Sequence, residues 1–572
     1  MEKPAISDTG MQWHQITSHP LTAATILALL CLVLHHSALS AGWRFDDGPH
    51  LFFTATYSPW QYFFIPDIMR EQSWAHITPW NAFFYELGLP FFGLNPTEHY
   101  AHLLFIIWAA AIATFLLLRL WFTPMASFMG AALFLSMPAT GTVGQLLMTG
   151  HYAYGLLFTI LAFYFFARGL RENNPFLSAA AAGVYALACL SKELYVPIIA
   201  ILIFYPGGSW KKRLRHLWPA LLVAIAYAAV RLQVLQGIGG YGRPPLSGQL
   251  TLSEVLTGFF SSLFGNGWIA GFIVTYCVIS LLIAKSQHQQ KINILFLSSI
   301  AITVATPILP MLQTGFADIL SSRLLFFLSW VLAMGLIWLT HSKPTHVITL
   351  IAVAGALIFS QQQTIAMIAS NSNILEKQNQ FLIENESDGF FLPFQFKDLN
   401  YLSLIQQANL IITGRHSPTL IRSDKELITL SERGNSTLYA YDDHSHYVRP
   451  LTDSQLQEIT NHLRQQLSAS SNQSLGIHVA VESQGRRKIL QWKFSGPPGH
   501  FLLHIRDYGM LTLPASGTMS YGMDIAGPAK KETQAYVYLV SPEGWIARSP
   551  DFTINPSINN AFTWSGRSAT ID

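Results

Sequence analysis

The sequence predicts an all-helical polytopic membrane domain of about eleven spans over residues 1–370. A soluble mixed α/β segment (371–473) and a β-sandwich-like domain (474–572) are expected to follow it. Three observations predict this. Apolar runs of span length succeed one another through the first 370 residues. Charged residues make up only 11% of the chain, against about 25% in soluble domains, and the deficit is confined to that part. From about residue 371 the composition turns polar and strand-like alternation appears.

A span needs roughly 17–25 mostly apolar residues. Such runs lie near 21–41, 100–121, 125–145, 152–170, 175–191, 193–207, 217–235, 265–284, 292–311, 321–340 and 345–364. The first is too long for a signal-peptide core and lacks a small-x-small cleavage site, so it reads as a retained anchor. The fifth and sixth are short and joined by Ser191-Lys192-Glu193, and a single long helix is the alternative there.

Loop charges orient the chain. The cluster Lys211-Lys212-Arg213-Leu214-Arg215 marks a cytoplasmic loop by the positive-inside rule. With eleven spans, Arg168 with Arg171, Lys285 with Lys291, Lys343 and the N-terminus fall on that side as well. Asp46, Lys192-Glu193, the loop 236–264, Arg323 and the whole C-terminal region fall on the other. A net charge of +3 gives no reason to expect a nucleic-acid partner. Cys31, Cys189 and Cys277 all lie in apolar runs, which argues against a disulfide framework or a thiolate metal site.

The loop 42–99 is rich in aromatics and cut by Pro59, Pro66, Pro79, Pro90 and Pro96. It reads as short helices lying in the membrane interface, with Trp and Tyr at headgroup level. In the loop 236–264, Gly237, Gly239, Gly240 and Gly242 make a flexible opening. Leu252 to Phe264 then reads as an amphipathic surface helix.

The residues able to carry chemistry gather on the non-cytoplasmic side. Asp46 and Asp47 are adjacent carboxylates directly after the first span. They read either as a helix cap favoured by the dipole or as a base facing a hydroxyl, a cation or a metal. His50 shares a helix face with them. Lys192 and Glu193 read as a neutralised loop pair, or as a phosphate contact with its orienting carboxylate. Arg323 opens the tenth run, either as a snorkelling anchor or as a guanidinium fork on a lipid phosphate. Arg231 and Arg243 flank the glycine-rich loop and are further candidates for that task. Glu98, His99 and His102 open the second run and would suit a divalent metal if the histidines converge.

Taken in order, Phe45-Asp46-Asp47, Gly93-Leu94-Asn95-Pro96, Tyr100-Ala101-His102-Leu103-Leu104, Pro138, the stretch Gly144 to Tyr154, Leu190-Ser191-Lys192-Glu193 and Ser322-Arg323-Leu324 resemble the GT-C superfamily of membrane glycosyltransferases. In particular they resemble the protein O-mannosyltransferases and the tetratricopeptide-containing O-mannosyltransferases, over roughly residues 20–345. The resemblance implies a GT-C-like helical domain that takes a sugar from a polyprenyl-phosphate carrier on the non-cytoplasmic face. It implies Asp46 as catalytic base with Asp47 in support. Arg323 and Lys192 match the positions that hold the lipid phosphate. Two departures leave the acceptor open, whether protein, glycan or lipid. Ala139-Thr140-Gly141 follows Pro138 where that branch carries an acid, and the tetratricopeptide repeats are absent.

The chemistry is self-consistent. A carboxylate deprotonates the acceptor hydroxyl. Fixed cations stabilise the departing phosphate. One base opposite the leaving group inverts the anomeric centre. No cofactor is required, and a divalent metal is optional. No glycine-rich phosphate loop precedes a helix, so nothing points to a nucleotide donor. The expected location is a bacterial inner membrane, with the N-terminus cytoplasmic and the C-terminal region periplasmic. The expected partners are the lipid-linked donor, an acceptor and membrane lipids. Two other classes compete: a flippase or transporter of lipid-linked sugars, expected to show charges at mid-membrane depth and inverted repeats with broken helices, whereas the charges here cluster at one face, and a non-catalytic scaffold displaying the tail.

In the tail, Asp453 to Leu467 reads as a helix. The runs Gly476–Glu482, Ile489–Phe494, His500–Ile505 and Ala535–Val540 read as strands of a sandwich. Asp442-Asp443-His444-Ser445-His446 reads as a solvated turn or, less simply, a metal site.

Overall fold

A computed structural model describes residues 19–73, 75–205, 207–235, 252–265, 298–307, 311, 319–340, 346–386, 389–391, 399–421, 427, 437–442, 447–468, 474–484, 487–505, 509–521, 532–542, 545–555 and 558–567. The chain divides into two compact units, Met1–Arg44 with Phe53–Asn373, and Phe45–Phe52 with Ile374–Asp572.

The first unit is helical. Among the described residues six helices are long and apolar enough to cross a membrane, or seven if one bent pair counts as a span. They are Pro20–Ser40, Pro96–Leu118, Leu147–Glu172, Trp210–Leu235, Leu320–Trp338 and Leu350–Glu384. The expected run 265–284 lies outside the described residues after its first position, and 292–311 is described mainly at Ser298–Pro307. Pro175–Ser191 and Glu193–Ile203 are shorter apolar helices. They are not one long helix, because Lys192 between them is extended (φ −162°, ψ 144°). The amphipathic helix Leu252–Phe264 forms over the expected residues.

The starts of these helices are written in the sequence. Asn95, Thr123 and Asn174 cap helices whose next residue is proline, and their side chains accept from the amides of Thr97, Ala126 and Phe176. Proline suits the first helical position, where its missing N–H has no intrahelical partner to lose. The helix Gly150–Glu172 stops at Asn173, which is left-handed (φ 51°), and Asn174 immediately caps the next helix. Those two asparagines close a helical hairpin.

The run 125–145 is a broken helix: Pro124–Leu135 and Pro138–Gly144 meet at 60°. Pro138 cannot continue the hydrogen-bond ladder. The Gln361 amide bridges the break, donating to the carbonyls of Leu135 (2.8 Å) and Met137 (2.9 Å). Gln361→Leu removes that buried donor. At about 1–3 kcal/mol for a buried polar group left unmade, the expected result is a melting temperature in detergent lower by several degrees, read by tryptophan fluorescence.

The second unit combines a small α/β layer with a sandwich. Strands β1 (Gly389–Phe391), β2 (Thr419–Ile421), β3 (Leu438–Asp442) and β4 (Tyr447–Pro450) form a sheet in the order β2-β1-β3-β4. Strand β1 runs parallel to both neighbours. The helix Leu399–Thr413 is the crossover from β1 to β2, as a parallel pair requires. The helix Asp453–Ser468 covers this sheet through Leu456 and Ile459.

Strands β5 (Leu475–Gln484), β6 (Arg487–Ser495), β9 (Ser516–Tyr521) and β13 (Asn560–Gly566) make one sandwich sheet. Strands β7 (His500–Ile505), β8 (Gly509–Leu513), β10 (Thr533–Val540), β11 (Ile546–Arg548) and β12 (Phe552–Ile554) make the other. Alternate residues Ile477, Val479 and Val481 of β5 meet Leu503 and Ile505 of β7 and Val537 and Leu539 of β10 in one core. Leu502, Tyr536, Tyr538 and Ile546 on the opposite face of the second sheet are also buried. Burial on both faces explains why β7 and β10 read as nearly continuous apolar runs.

Candidate active site

Two groups of charged residues stand out, one in each unit. In the first unit, Lys192 sits in the extended break between Pro175–Ser191 and the 3-10 turn Glu193–Tyr195. Buried tyrosines pin that turn. Tyr195 donates to the Tyr152 carbonyl and Tyr185 to the Val196 carbonyl, each at 2.7 Å. The Tyr195 ring fills the space left by Gly155, where a Cβ would come within 2.2 Å of it.

Glu193 is the centre of a network. Arg231 Nη1 donates to Glu193 Oε1 at 2.7 Å, and His76 Nδ1 contacts the same oxygen at 2.8 Å. Lys192 Nζ lies 3.9 Å from Oε2 and 5.6 Å from the Tyr152 ring centre. The side chains are 11–19% exposed, so water screens them little. An oxygen that takes Arg231 and His76 together carries no proton, so His76 Nδ1 is the protonated nitrogen. Among the described residues, two cationic side chains and His76 thus converge on one carboxylate.

His76 arrives through the loop after the first span. Met69 and Ile77 pack against Leu190, Val234 and Leu235, and Arg70 donates to the Val234 carbonyl at 3.0 Å. Together these lay residues 66–73 and 75–77 over the ends of two helices. Burial holds the His76 ring below its ordinary value, with Lys192 and Arg231 acting in the same direction and Glu193 opposing them. The unfolded histidine takes a proton near about pH 6.5, and the folded one only at lower pH. This part of the stability is therefore complete above pH 6.5 and is lost as pH falls from there through the folded value. His76→Gln keeps a donor for Glu193 but cannot titrate. Its melting temperature is expected to fall less than that of the wild type between pH 7 and 5.

The acidic pair belongs to the second unit. Helix Asp47–Thr56 starts at Asp47, and the His50 amide donates to the Asp46 carbonyl at 3.1 Å. Asp46 is therefore the N-cap, and both carboxylates sit at the positive end of the helix. Asp47 is fully buried, whereas Asp46 and His50 are only half-buried. Immediately upstream, the buried Arg44 guanidinium donates to the backbone oxygen of Gln145 (3.0 Å) and to its Oε1 (3.2 Å). Ser37 and Tyr100 complete that knot around Gln145.

The structure thus brings together Lys192, Glu193 and Arg231 from the sequence-predicted set. Arg323 is half-buried in the 3-10 turn Ile319–Leu325, where its neighbour Ser322 Oγ meets Thr142 Oγ1 of the broken helix at 2.5 Å. Arg243 lies outside the described residues, as does most of the run Asp442 to His446.

The metal expectation at Glu98, His99 and His102 is corrected. His99 Nε2 donates to the Gly93 carbonyl at 3.0 Å inside a cage of Trp43 and Phe92. His102 Nε2 meets Tyr154 Oη at 2.8 Å with its ring stacked on Phe84, and Glu98 is exposed. The i,i+3 spacing set one helix face but not the rotamers, and protein groups take a nitrogen of each ring. Among the described residues no three metal-binding side chains gather. Sequence reading missed His76 and Arg44. Arg44 had a signal, a charge at the mouth of the first span, whereas His76 had none.

No family model and no curated protein matches this sequence. Among solved structures, the oligosaccharyltransferase AglB from Archaeoglobus fulgidus, in complex with an inhibitory peptide and a dolichol-phosphate, aligns over 97% of this chain and 98% of its own. The identity is 10% and the TM-score 0.40. The Archaeoglobus fulgidus oligosaccharyltransferase with Zn and sulfate aligns over 73% of this chain and 67% of its own, at 12% identity and a TM-score of 0.39. ArnT from Cupriavidus metallidurans in the apo state aligns over 73% and 93%, at 14% and 0.30. Both kinds of neighbour are GT-C membrane glycosyltransferases. That is the superfamily the motif order resembles, while none of the three is an O-mannosyltransferase, so that branch stays a resemblance of motifs. At these TM-scores the likeness supports nothing about mechanism, and the functional reading rests on this chain's own residues.

Proposed function

We propose that this protein is an inverting glycosyltransferase that moves a sugar from a polyprenyl-phosphate carrier to an acceptor at the periplasmic face of a bacterial inner membrane. The observation that carries the reading is the Lys192–Glu193–Arg231 cluster, in which two cationic side chains converge on one carboxylate. Such a cluster suits a phosphate whose charge grows as the sugar leaves. Asp46 takes the proton from the acceptor hydroxyl, and Asp47 supports it from the same helix start. Arg323 adds a second guanidinium for the carrier phosphate. The role needs no metal, since lysine and arginine supply the electrostatics.

The test is the full-length chain reconstituted in vesicles with synthetic polyprenyl-phosphate hexoses and membrane extract as acceptor source. Transfer releases polyprenyl phosphate and labels an acceptor. The broken helix Pro124–Leu135 with Pro138–Gly144 favours a second reading, a flippase of the same lipid-linked sugar. Movement of labelled lipid across the bilayer with no transfer product would select that reading and remove the first.

A further inference from the structure

We infer that Gly48 is a positioning residue, which seats the start of the acidic pair's helix on the helix Leu399–Thr413 of the second unit. This rests on the proposed role of Asp46. Residues Phe45–Phe52 group with the C-terminal unit, although Arg44 before them and Phe53 after them belong to the membrane unit. One close contact within that unit is between backbones. A Cβ on Gly48 would lie 2.8 Å from the Tyr401 carbonyl oxygen, 3.4 Å from the Ile405 amide nitrogen and 3.6 Å from the Ile405 Cβ. Such a clash with main chain has no rotamer to relieve it.

Gly48 is not among the residues of positive φ, so its backbone angles do not demand glycine. The close approach demands it, as small residues permit between packed helices. The platform is firm. Leu402, Ile405 and Ala408 of the crossover helix are fully buried, and the helix is tied at both ends to the parallel strands β1 and β2. One residue before the pair, Phe45 holds φ +41°, a strained conformation for a bulky side chain. Three residues downstream, Gly48 lies against the helix Leu399–Thr413 of the same unit. The C-terminal region therefore has a part in the proposed reaction. It sets where the carboxylate of Asp46 stands.

The test uses Gly48→Ala in the full-length chain in nanodiscs, with amide hydrogen exchange and steady-state transfer from a synthetic polyprenyl-phosphate hexose. Exchange at residues 50–52 and 401–408 is expected to rise at least about tenfold, with 150–172 unchanged. A misplacement near 1 Å costs about 10²-fold in rate, so kcat is expected to fall about 100-fold with the donor KM within twofold. Unchanged exchange at 50–52 overturns the docking. Faster exchange with wild-type kcat overturns the positioning role. If Gly48→Ala does not fold, Ile405→Ala loosens the same contact without a clash and is read in the same way. If the wild type itself transfers no sugar, the proposed function has failed, and the exchange arm alone then decides the docking.

Discussion

Asp46→Asn should abolish sugar transfer while the protein still inserts and folds. Asparagine caps a helix as well as aspartate does, so the start of Asp47–Thr56 is kept and only the proton acceptor is lost. General-base catalysis contributes about 10²–10⁴-fold, and kcat should fall by that factor with donor KM preserved. Asp47→Asn should behave differently, because Asp47 is fully buried and Asp46 is not. Its main effect is expected on thermal stability and a smaller one on rate. Kinetics of the two variants, beside their melting curves, separate the roles. Wild-type kcat in Asp46→Asn would remove it as the base.

The largest loss of stability is expected from Glu193→Ala. The carboxylate is the common partner of Arg231, His76 and Lys192, and removing it takes that partner from both cations where little water reaches. Breaking a buried ion pair from one side costs about 3–5 kcal/mol, a large part of the about 5–15 kcal/mol that holds a typical domain together. Glu193→Gln keeps an acceptor oxygen and should cost less. Adding Lys192→Met to Glu193→Ala should recover part of the loss, because one of the stranded charges goes with it. Denaturant melts of the single and double variants give the coupling energy directly. Additive effects would show that the cluster does not act as a unit.

Much of this was legible beforehand. The Asn-Pro and Thr-Pro pairs at the starts of three helices are a local signal that hydropathy alone does not use, because capping is a matter of one side chain and its own backbone. The amphipathic helix Leu252–Phe264 and the strands β5, β6, β7 and β10 followed from periodicity, which reports burial without needing to know the partner. The run 125–145 read as a single span, although Pro138 lies within it, because hydropathy averages over a bend. The histidines at 99 and 102 suggested a metal because spacing alone does not say which groups meet each ring.

By itself, the sequence determined where many of the apolar helices and alternating strands lie. These are local properties, set by periodicity, caps and the cost of burying charge. Only the tertiary structure decided that His76 joins Glu193 across 117 positions of chain, and that the acidic pair groups with the C-terminal unit, where Gly48 closely approaches Tyr401 and Ile405. Both depend on where distant segments pack. A histidine in a loop and a glycine in a helix look the same in sequence whether or not a partner stands against them.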